Sequence, residues 1–514
     1  MTIRPAPLLL LVAVSACIAR KVTVVEVERA ADSVQVRTPV KAHMLDGSTV
    51  VYRKGVLVAR GRLSGPGTRY DLTLSHPAEV TELPLDSLVG LESFRTDVEP
   101  GATVALSALA VGGGILAGVA IACALDPKCF GSCPTYYSDS AGAAVLEAEG
   151  FSYSIAPLFE ARDVDRLRAR PSSNGTLRLE VRNEAFETHF INHLELLEAT
   201  HAADEVVAPD PRGHPVAVAG QHAPRVARDR AGRDVSEVLA TADGRTYATA
   251  PAILAAVSEA DLEDEVELRF DQSAGTDSAA LVIRLRNSLL NTVLLYDMML
   301  GDPGARSLDW QAEKLSRVGE ALELGSWYTS RMGLGVEVWL GGAWVQVARL
   351  KDTGPVAWKD VAVPLPAGAD AELRVRLRFP ADNWRIDRIA LASSVRRPRV
   401  RSLGPARVTA ATGAAETEAF AALAAPDGRY LETGPTQAFF ATWDVGPEPA
   451  GARTFLLASQ GYYIEWVRQG WITAARDTTL FRPGDASLLR ALERWRQVQD
   501  TLEQRFFATR VPVR

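Results

Sequence analysis

The sequence predicts a mainly β protein built from several β-sandwich modules, with one hydrophobic glycine-rich helix over residues 102–125 and an amphipathic helix at its C-terminus. Three observations lead to this fold class. Short runs of β-branched and alternating residues recur between residues 21 and 467, as they do in half-buried strands. Turn signals separate these runs. The chain has 514 residues, a length that fits several domains of ordinary size.

The composition is that of an ordinary globular protein. Hydrophobic residues make up 47% of the chain and charged residues 23%, which argues against extensive disorder. The formal net charge is −7, whereas a dedicated nucleic-acid binder carries a basic stripe. We therefore expect no nucleic-acid partner.

The N-terminus carries the pattern of an export signal. Arg4 precedes the apolar run 8–14, which is too short to cross a bilayer. The run ends in Val14-Ser15-Ala16-Cys17, which resembles the lipobox of bacterial lipoproteins. By this resemblance residues 1–16 are a signal peptide, and Cys17 carries the acyl chains, palmitate among them, that anchor the protein to a membrane. A plain signal peptide with an incidental Cys17 is the alternative.

The residue after this motif bears on location. It is Ile18 and not Asp, so the resemblance implies no retention at the inner membrane. We expect a protein of the bacterial cell envelope, anchored in the outer membrane and facing either the periplasm or the cell exterior.

Residues 17–98 are predicted to form a small β module, in which the turn signal Asp46-Gly47 separates two β-branched runs. An uncharged segment, residues 102–125, follows it and has the length of a transmembrane helix. Gly114 and Gly118 within it would let a second helix approach closely. Two interpretations stay open: a helix inserted in the membrane, or one that lies at its surface or is buried in protein. A single span would place everything after residue 126 in the cytoplasm.

Four cysteines occur, at positions 17, 123, 129 and 133. Cys129 and Cys133 bound a CxxxC loop, and in an exported protein this spacing predicts a short-range disulfide. Cys123 would stay unpaired or take one of these two as its partner. Free thiols and a metal or redox site are the alternatives, although no further ligand stands at the usual metal-site spacing. A disulfide would place the loop outside the cytoplasm and so argue against a single span.

Three β-rich segments are predicted next, over residues 126–235, 250–395 and 396–480. Gly341-Gly342 between two tryptophan-containing strands predicts a hairpin, and residues 321–326 are interpreted as a connection. The chain then ends in an amphipathic helix over residues 484–508. Its apolar stripe consists of Leu488, Leu492, Trp495, Leu502 and Phe506.

Within the second of these segments, residues 382–391 combine Asp382, Trp384 and Asp387 with a run of apolar residues. This pattern resembles the closing strand of galactose-binding-like jelly-roll domains. The resemblance covers about residues 264–395. It implies a β-sandwich there, and not a β-helix or a propeller.

A histidine pair is the first candidate site. His189 and His193 have an HxxxH spacing, which on a helix would direct both rings to one metal ion. On a strand the same residues would lie too far apart along the chain to share an ion. The expected state is a set of exposed polar residues on an antiparallel sheet face, and a metal-dependent extracytoplasmic hydrolase that uses this region is the alternative.

Aromatic residues are the second candidate site. All ten tryptophans lie between residues 310 and 495, and sugar-binding sandwiches place flat rings on a face or loop to stack on sugars. Trp327, Trp344 and Trp384 are the predicted ligand-binding candidates. The alternative is that most of the tryptophans belong to the core.

The sequence holds no nucleophile elbow, P-loop or dinucleotide fingerprint. We therefore predict no catalytic residue and no cofactor, and lean away from an enzyme. The predicted function is that of a cell-envelope lipoprotein with a binding or structural role toward a glycan, an envelope polymer or a protein partner. An envelope scaffold that oligomerises through the glycine-rich segment is a further alternative.

Overall fold

The computed structural model describes residues 33–71, 77–94, 103–105, 133–140, 142–271, 278–366, 372–447, 451–474 and 480–508. Cys17, Cys123 and Cys129 lie outside these residues, as does most of segment 102–125. The described part is mainly β, with five sheets, several short helices and a long C-terminal helix. The predicted fold class is confirmed.

Sheet 1 is formed by the N-terminal part of the chain and one late strand. Asp46 and Gly47 make the predicted turn between its second and third strands, with Gly47 at φ +82° and the Asp46 carboxylate accepting from the Ser48 amide at 3.0 Å. The eight strands follow the order β1-β4-β5-β3-β2-β7-β29, with β6 paired to β5. They are β1 (Val34–Val36), β2 (Val40–Met44), β3 (Thr49–Tyr52), β4 (Val56–Ala59), β5 (Arg62–Tyr70), β6 (Ala78–Pro84), β7 (Leu88–Ser93) and β29 (Val467–Arg468).

The central sandwich consists of sheets 2 and 3, whose inner faces share one hydrophobic core that includes Leu194, Phe439 and Trp443. Sheet 2 has the order β10-β9-β12-β27-β25, and sheet 3 has the order β11-β28-β13-β26-β8 with β24 paired to β13. The strands are β8 (Thr103–Ala105), β9 (Thr135–Ser140), β10 (Ala143–Glu149), β11 (Ala161–Arg166), β12 (Thr176–Arg182), β13 (Glu187–His201), β24 (Arg399–Leu403), β25 (Arg407–Ala410), β26 (Tyr430–Thr433), β27 (Ala438–Asp444) and β28 (Ala452–Glu465). Strands from segments 126–235 and 396–480 therefore lie in the same two sheets.

Strand β8 differs from the sequence prediction. Thr103–Ala105 pair in parallel with Tyr430, Leu431 and Glu432 of β26, so the helix predicted from residue 102 does not begin there. Thr and Val favour strands, and β26 offers an edge on which they can pair. No helix in the described ranges is both long and apolar enough to cross a membrane.

The inserted sandwich consists of sheets 4 and 5, and all its strands come from residues 206–396. Gly341 and Gly342, at φ +58° and +86°, make the predicted two-residue hairpin turn between β19 and β20. Sheet 4 has the order β14-β15-β23-β18-β21, and sheet 5 the order β16-β17-β22-β19-β20. The strands are β14 (Val206–Pro209), β15 (Pro215–His222), β16 (Val226–Asp229), β17 (Glu263–Asp271), β18 (Ala279–Asn287), β19 (Leu334–Leu340), β20 (Ala343–Leu350), β21 (Lys359–Leu365), β22 (Glu372–Pro380) and β23 (Trp384–Arg396).

Most of the helices pack where the two sandwiches meet sheet 1 and form a helical layer, whereas Ser236–Ala240 packs in the core of the inserted sandwich and Thr417–Leu423 in that of the central sandwich. Part of the helical layer occupies residues expected to be strands and connections. Residues 321–326 lie inside a helix and not in a connection. The α-helices are α1 (Ser236–Ala240), α2 (Pro251–Ala256), α3 (Leu290–Thr292), α4 (Arg306–Asp309), α5 (Val318–Met332), α6 (Thr417–Leu423), α7 (Gln469–Thr473) and α8 (Asp485–Ala508), with π-helical turns over Val293–Gly301 and Trp310–Lys314 and 3₁₀ turns over Leu85–Ser87 and Pro157–Phe159.

Helix α8 confirms the predicted amphipathic C-terminal helix. Its whole apolar stripe is buried in the core of the helical layer, because residues at three- and four-residue steps fall on one helix face. The buried residues are Leu488, Leu492, Trp495, Leu502 and Phe506.

Candidate ligand-binding groove

A groove of about 470 Å³ lies between sheet 1, sheet 3 and the helical layer. This volume is within the range of small-molecule sites, which are mostly apolar with a few placed polar groups. Sheet 1 contributes Lys41, Ser93 and Phe94, sheet 3 contributes Phe190, Tyr430, Glu432, Tyr462 and Ile464, and the remaining lining residues are Ile155, Ala156, Pro157, Gln311, Ala312 and Ser316.

Three aromatic rings from neighbouring strands form one wall of this groove. Phe190 of β13 and Tyr462 of β28 are register partners, and their rings stack with centroids 4.6 Å apart and planes 10° apart. Tyr430 of β26 meets the Tyr462 ring edge-on at 5.3 Å. Because side chains alternate along a strand, register places these three rings on the same face of sheet 3.

A hydrogen-bonded carboxylate holds the Tyr430 ring in place. The Tyr430 hydroxyl donates to Glu160 at 2.7 Å. The amides of Asn192 and Gln460 donate to the other oxygen of the same carboxylate, at 2.6 and 2.9 Å. These contacts fix the orientation of the ring without a ligand.

The polar wall contains a lysine between two carboxylates. Lys41 Nζ lies 3.6 Å from Glu92 Oε2 and 3.7 Å from Glu432 Oε1. Burial lowers the pKa of Lys41, but the two carboxylates outweigh it and raise the pKa overall. Burial raises the pKa of Glu432, and Lys41 opposes that rise only in part. The groove thus combines a fixed cation with a carboxyl group that is half-buried.

Behind Lys41, one histidine links sheet 1 to the end of β28. The rings of His43 and Trp466 stack 3.6 Å apart and almost parallel, and His43 Nε2 lies 3.0 Å from Glu92 Oε2. The Trp466 indole donates to the Thr188 hydroxyl at 2.9 Å. Burial lowers the pKa of His43 below its ordinary value despite Glu92, which favours the neutral ring.

The three predicted tryptophans do not line this groove, and the structure does not bring them together. Trp384 is fully buried, and its indole donates to the Met332 carbonyl at 3.2 Å. It is therefore a core residue, and its prediction as a ligand contact is wrong. Trp327 is half-buried in α5 and packs on Phe481 at 5.8 Å.

Trp344 keeps part of its ring exposed, far from the groove, on the outer face of sheet 5. It meets Trp339 edge-on at 5.3 Å. The guanidinium groups of Arg374 and Arg376 lie 5.2 and 4.6 Å from its ring centre. Arginine therefore already occupies part of the ring surface that a sugar would use.

The predicted histidine pair lies on a strand. His189 and His193 both belong to β13, on opposite sides of a register shift between Ile191 and His193. His189 is fully buried with Nε2 2.6 Å from Glu187 Oε1, and burial lowers its pKa to about 3. The helical arrangement that would direct both rings to one metal is not formed. Across the described residues, no three His, Cys, Asp or Glu side chains are grouped to hold a metal ion.

The predicted Cys129–Cys133 disulfide finds no support. Cys133 is a buried free thiol, and burial together with the nearby carboxylates raises its pKa. Its backbone amide donates to Glu187. Cys129 lies outside the described residues.

Sequence reasoning did not identify the groove residues. Lys41, Phe190, Tyr430, Glu432 and Tyr462 come from four strands far apart in the chain. Each strand alternates as expected, but alternation alone does not tell which strands become neighbours. The two adjacent tyrosines at 462–463 are a weak local signal, because Tyr136 and Tyr137 form the same pattern away from the groove.

Comparison with known proteins assigns no family. No protein-family model matches the chain, and no curated protein matches it. Among solved structures it is similar to a GH31 alpha-xylosidase from Xanthomonas citri, with 10% identity over 86% of this chain and a TM-score of 0.14. It is also similar to a cycloalternan-forming enzyme from Listeria monocytogenes, with 11% identity over 71% of this chain and a TM-score of 0.16. The chain spans only 38% and 29% of those two chains, and similarity this low carries no argument about fold or activity.

Proposed function

We propose that this protein is a bacterial cell-envelope lipoprotein that binds a carbohydrate in the groove between sheets 1 and 3. The observation that carries the binding proposal is the stacked Phe190–Tyr462 pair facing the same groove as the Lys41–Glu432 ion pair. Flat rings bury the apolar face of a pyranose. The ammonium and carboxylate groups bind its hydroxyls with charge-assisted hydrogen bonds.

The shape of the groove favours a glycan over a folded protein partner. Protein interfaces bury about 800 Å² per partner over a broad patch, whereas this groove is a recess of about 470 Å³. Its aromatic wall is held by Glu160 before any ligand arrives, and such pre-organisation reduces the entropic cost of binding.

The lipid anchor is supported by the lipobox-like sequence at Val14-Ser15-Ala16-Cys17. Metabolic labelling with an alkyne analogue of palmitate in a bacterial host tests it. The unmodified chain should be labelled, Cys17→Ala should lose the label, and Cys133→Ala should keep it, because Cys133 is buried. Labelling of the Cys17→Ala chain would refute the anchor.

Binding is tested by presenting the full chain to an array of bacterial envelope glycans and measuring affinity for the best one. The detergent should be a polyoxyethylene ether, which is neither a glycoside nor an amine. Phe190→Leu removes the stacking ring and Glu432→Gln removes the charge, and each should weaken binding about tenfold. Trp344→Ala is the matched control and should bind normally. If no glycan binds, or if only Trp344→Ala weakens binding, the groove is not the site.

A further inference from the structure

A second, smaller cavity lies where the helical layer meets the two sandwiches. Its volume is about 70 Å³, several times the roughly 10–15 Å³ that one water molecule needs, and much less than the volume of the groove. The two sites have only Ile155 in common. The cavity therefore has room for a compact head group and can be tested independently of the groove.

Aromatic residues surround this cavity. They come from the loop after β10, from α5, from the π-helical turn and from β28, and they are Tyr153, Phe159, Tyr296, Tyr328 and Tyr463. The negatively polarised faces of aromatic rings attract cations, and cages of such rings bind alkylated ammonium groups. Tyr153 already makes one such contact, since Lys351 Nζ lies 5.3 Å from its ring centre.

The charged part of the wall is one buried carboxyl group, Asp352, which is 8% exposed. Tyr328 donates to it at 2.5 Å, the Gly354 amide at 2.8 Å and the Ser152 hydroxyl at 3.3 Å, and the Asn291 amide also donates to it. All four donors are uncharged, and they orient the carboxyl group. Burial raises the pKa of Asp352, and the hydrogen bonds from Tyr328, Gly354 and Ser152 oppose this rise. No lysine, arginine or histidine is among the described residues that line the cavity.

Charged groups of both signs lie next to the cavity. Lys359 contacts both Asp163 and Asp165, and Lys351 lies over the Tyr153 ring. Asp352 is the one acidic side chain among the described residues that line the cavity itself, and it would attract a cation.

The backbone of one wall is also unusual. Leu295, Tyr296 and Met299 reach the cavity from the π-helical turn Val293–Gly301. Extended π-helical turns are rare and often occur at functional sites. The wider turn places these side chains differently from a regular α-helix.

We propose that this cavity binds the head group of an alkylammonium compound, with the cationic nitrogen between the tyrosine rings and Asp352. The compound is either a free solute such as choline or the head group of a choline phospholipid. Both have the same cation, and the cavity is large enough for that cation alone.

The first test compares ligands on the unmodified full chain by calorimetry in a polyoxyethylene ether detergent. Tetramethylammonium and choline should bind with one site per chain. The uncharged analogue 3,3-dimethyl-1-butanol, which has the same shape as choline, should bind about tenfold more weakly or not at all. Equal binding of the uncharged analogue, or no binding of either cation at about 10 mM, would overturn the proposal.

The second test removes the charge. Asp352→Asn keeps the shape of the side chain and should weaken choline binding about tenfold, whereas Asp204→Asn, at an exposed position, should not. Thermal unfolding of both variants shows whether they fold. Normal choline binding by a folded Asp352→Asn chain would contradict the proposal. If that variant does not fold, the comparison of choline with its uncharged analogue on the unmodified chain tests the proposal instead.

A third test separates the two sources of the cation, using the Cys17→Ala chain so that no acyl chain contributes. Flotation with dioleoylphosphatidylcholine vesicles, reversed by free choline and absent with dioleoylphosphatidylglycerol vesicles, would identify the lipid head group. Binding of choline without flotation would identify a free solute. Either result supports the binding of an alkylammonium cation in this cavity.

Discussion

At the scale of single residues, buried carboxyl groups set the behaviour of the junction between the sandwiches. Asp165 lies 3.1 Å from Lys359 Nζ and is 5% exposed. Burial raises its pKa from 3.8 to about 7; Lys359 opposes this rise and Asp163 adds to it. The folded chain therefore holds a proton that the unfolded chain has released between about pH 4 and pH 7. The stability that this proton provides is complete below pH 4 and is lost as pH rises through 7.

This linkage gives a pH-dependent prediction for Asp165→Asn, which cannot titrate. From pH 5 to pH 7 the free energy of unfolding of the unmodified chain should fall relative to the variant by up to about 1.4 kcal/mol per pH unit. Urea denaturation across this range measures it. Glu187 and Glu465 titrate in both chains and cancel in the difference, and Asp204→Asn is the exposed control. A difference that stays constant with pH would contradict the assigned protonation.

Trp384 gives a second prediction at this scale. Trp384→Ala should lower the free energy of unfolding by about 3–5 kcal/mol because it leaves a cavity in the core, and the folded fraction should still bind the glycan normally. Trp344→Ala should have little effect on stability. Thermal unfolding together with glycan binding checks both expectations, and reduced binding by correctly folded Trp384→Ala would return this residue to the ligand site.

Sequence reasoning could not separate Trp384 from Trp344 for a physical reason. Alternation usually marks the buried face of a strand, but Arg385 and Asp387 are buried alongside Trp384 and Ile386. Ion pairs make this possible: Arg385 binds Asp382 at 2.7 Å, and Asp387 binds Arg284 at 2.9 Å. The Arg284–Asp387 pair forms only when distant strands become neighbours, and the sequence alone does not show that either pair is buried.

At the scale of elements, the periodicity of the sequence predicted those helices and turns that local interactions determine. The hairpin at Gly341-Gly342 and helix α8 followed from turn chemistry and from a stripe at helical spacing. The π-helical turn Val293–Gly301 could not be predicted in this way. Six of its nine residues are buried, and a segment that is apolar on all sides has no helical period to detect.

Helix α8 gives a prediction at this scale. The Trp495 indole is fully buried and donates to Asp382 at 2.7 Å, which ties the helix to the inserted sandwich. Trp495→Ala should cost about 3–5 kcal/mol of stability, measured by thermal or urea unfolding. Arg496→Ala, one residue along on the exposed face, should cost less than about 0.5 kcal/mol. Equal effects of the two changes would mean that α8 is not docked through this stripe.

At the scale of the whole molecule, sheet 1 is fastened to the rest of the chain from two sides. Val467 and Arg468 of β29 pair with Leu91 and Gly90 of β7. On the other side, the Asp309 carboxylate accepts from the amides of Arg37 and Thr38 at 2.9 and 3.0 Å. The groove depends on this fastening, because its walls belong to both parts.

The fastening predicts a measurable change in Trp466→Ala, which removes the ring stacked on His43. Amide hydrogen exchange in peptides that contain Gly90 and Leu91 should become faster, and glycan binding should weaken about tenfold. Trp344→Ala should leave both unchanged. Unchanged exchange at β7 in the Trp466→Ala chain would show that the backbone pairing alone holds sheet 1.

The pairing of β13 with β28 has a consequence for how the protein is made. The hydrogen bond between Thr188 and Trp466 joins residues 278 positions apart. At about 5–20 residues per second, a ribosome needs about 14–56 s to cover that distance. During this interval the later partners of β13 are made in stages, β24 at residues 399–403, β26 at 430–433 and β28 at 452–465, and until then its unpaired edges are open to wrong pairing. A chain whose synthesis stops before β28 lacks Tyr462 and Ile464, and therefore part of the groove wall.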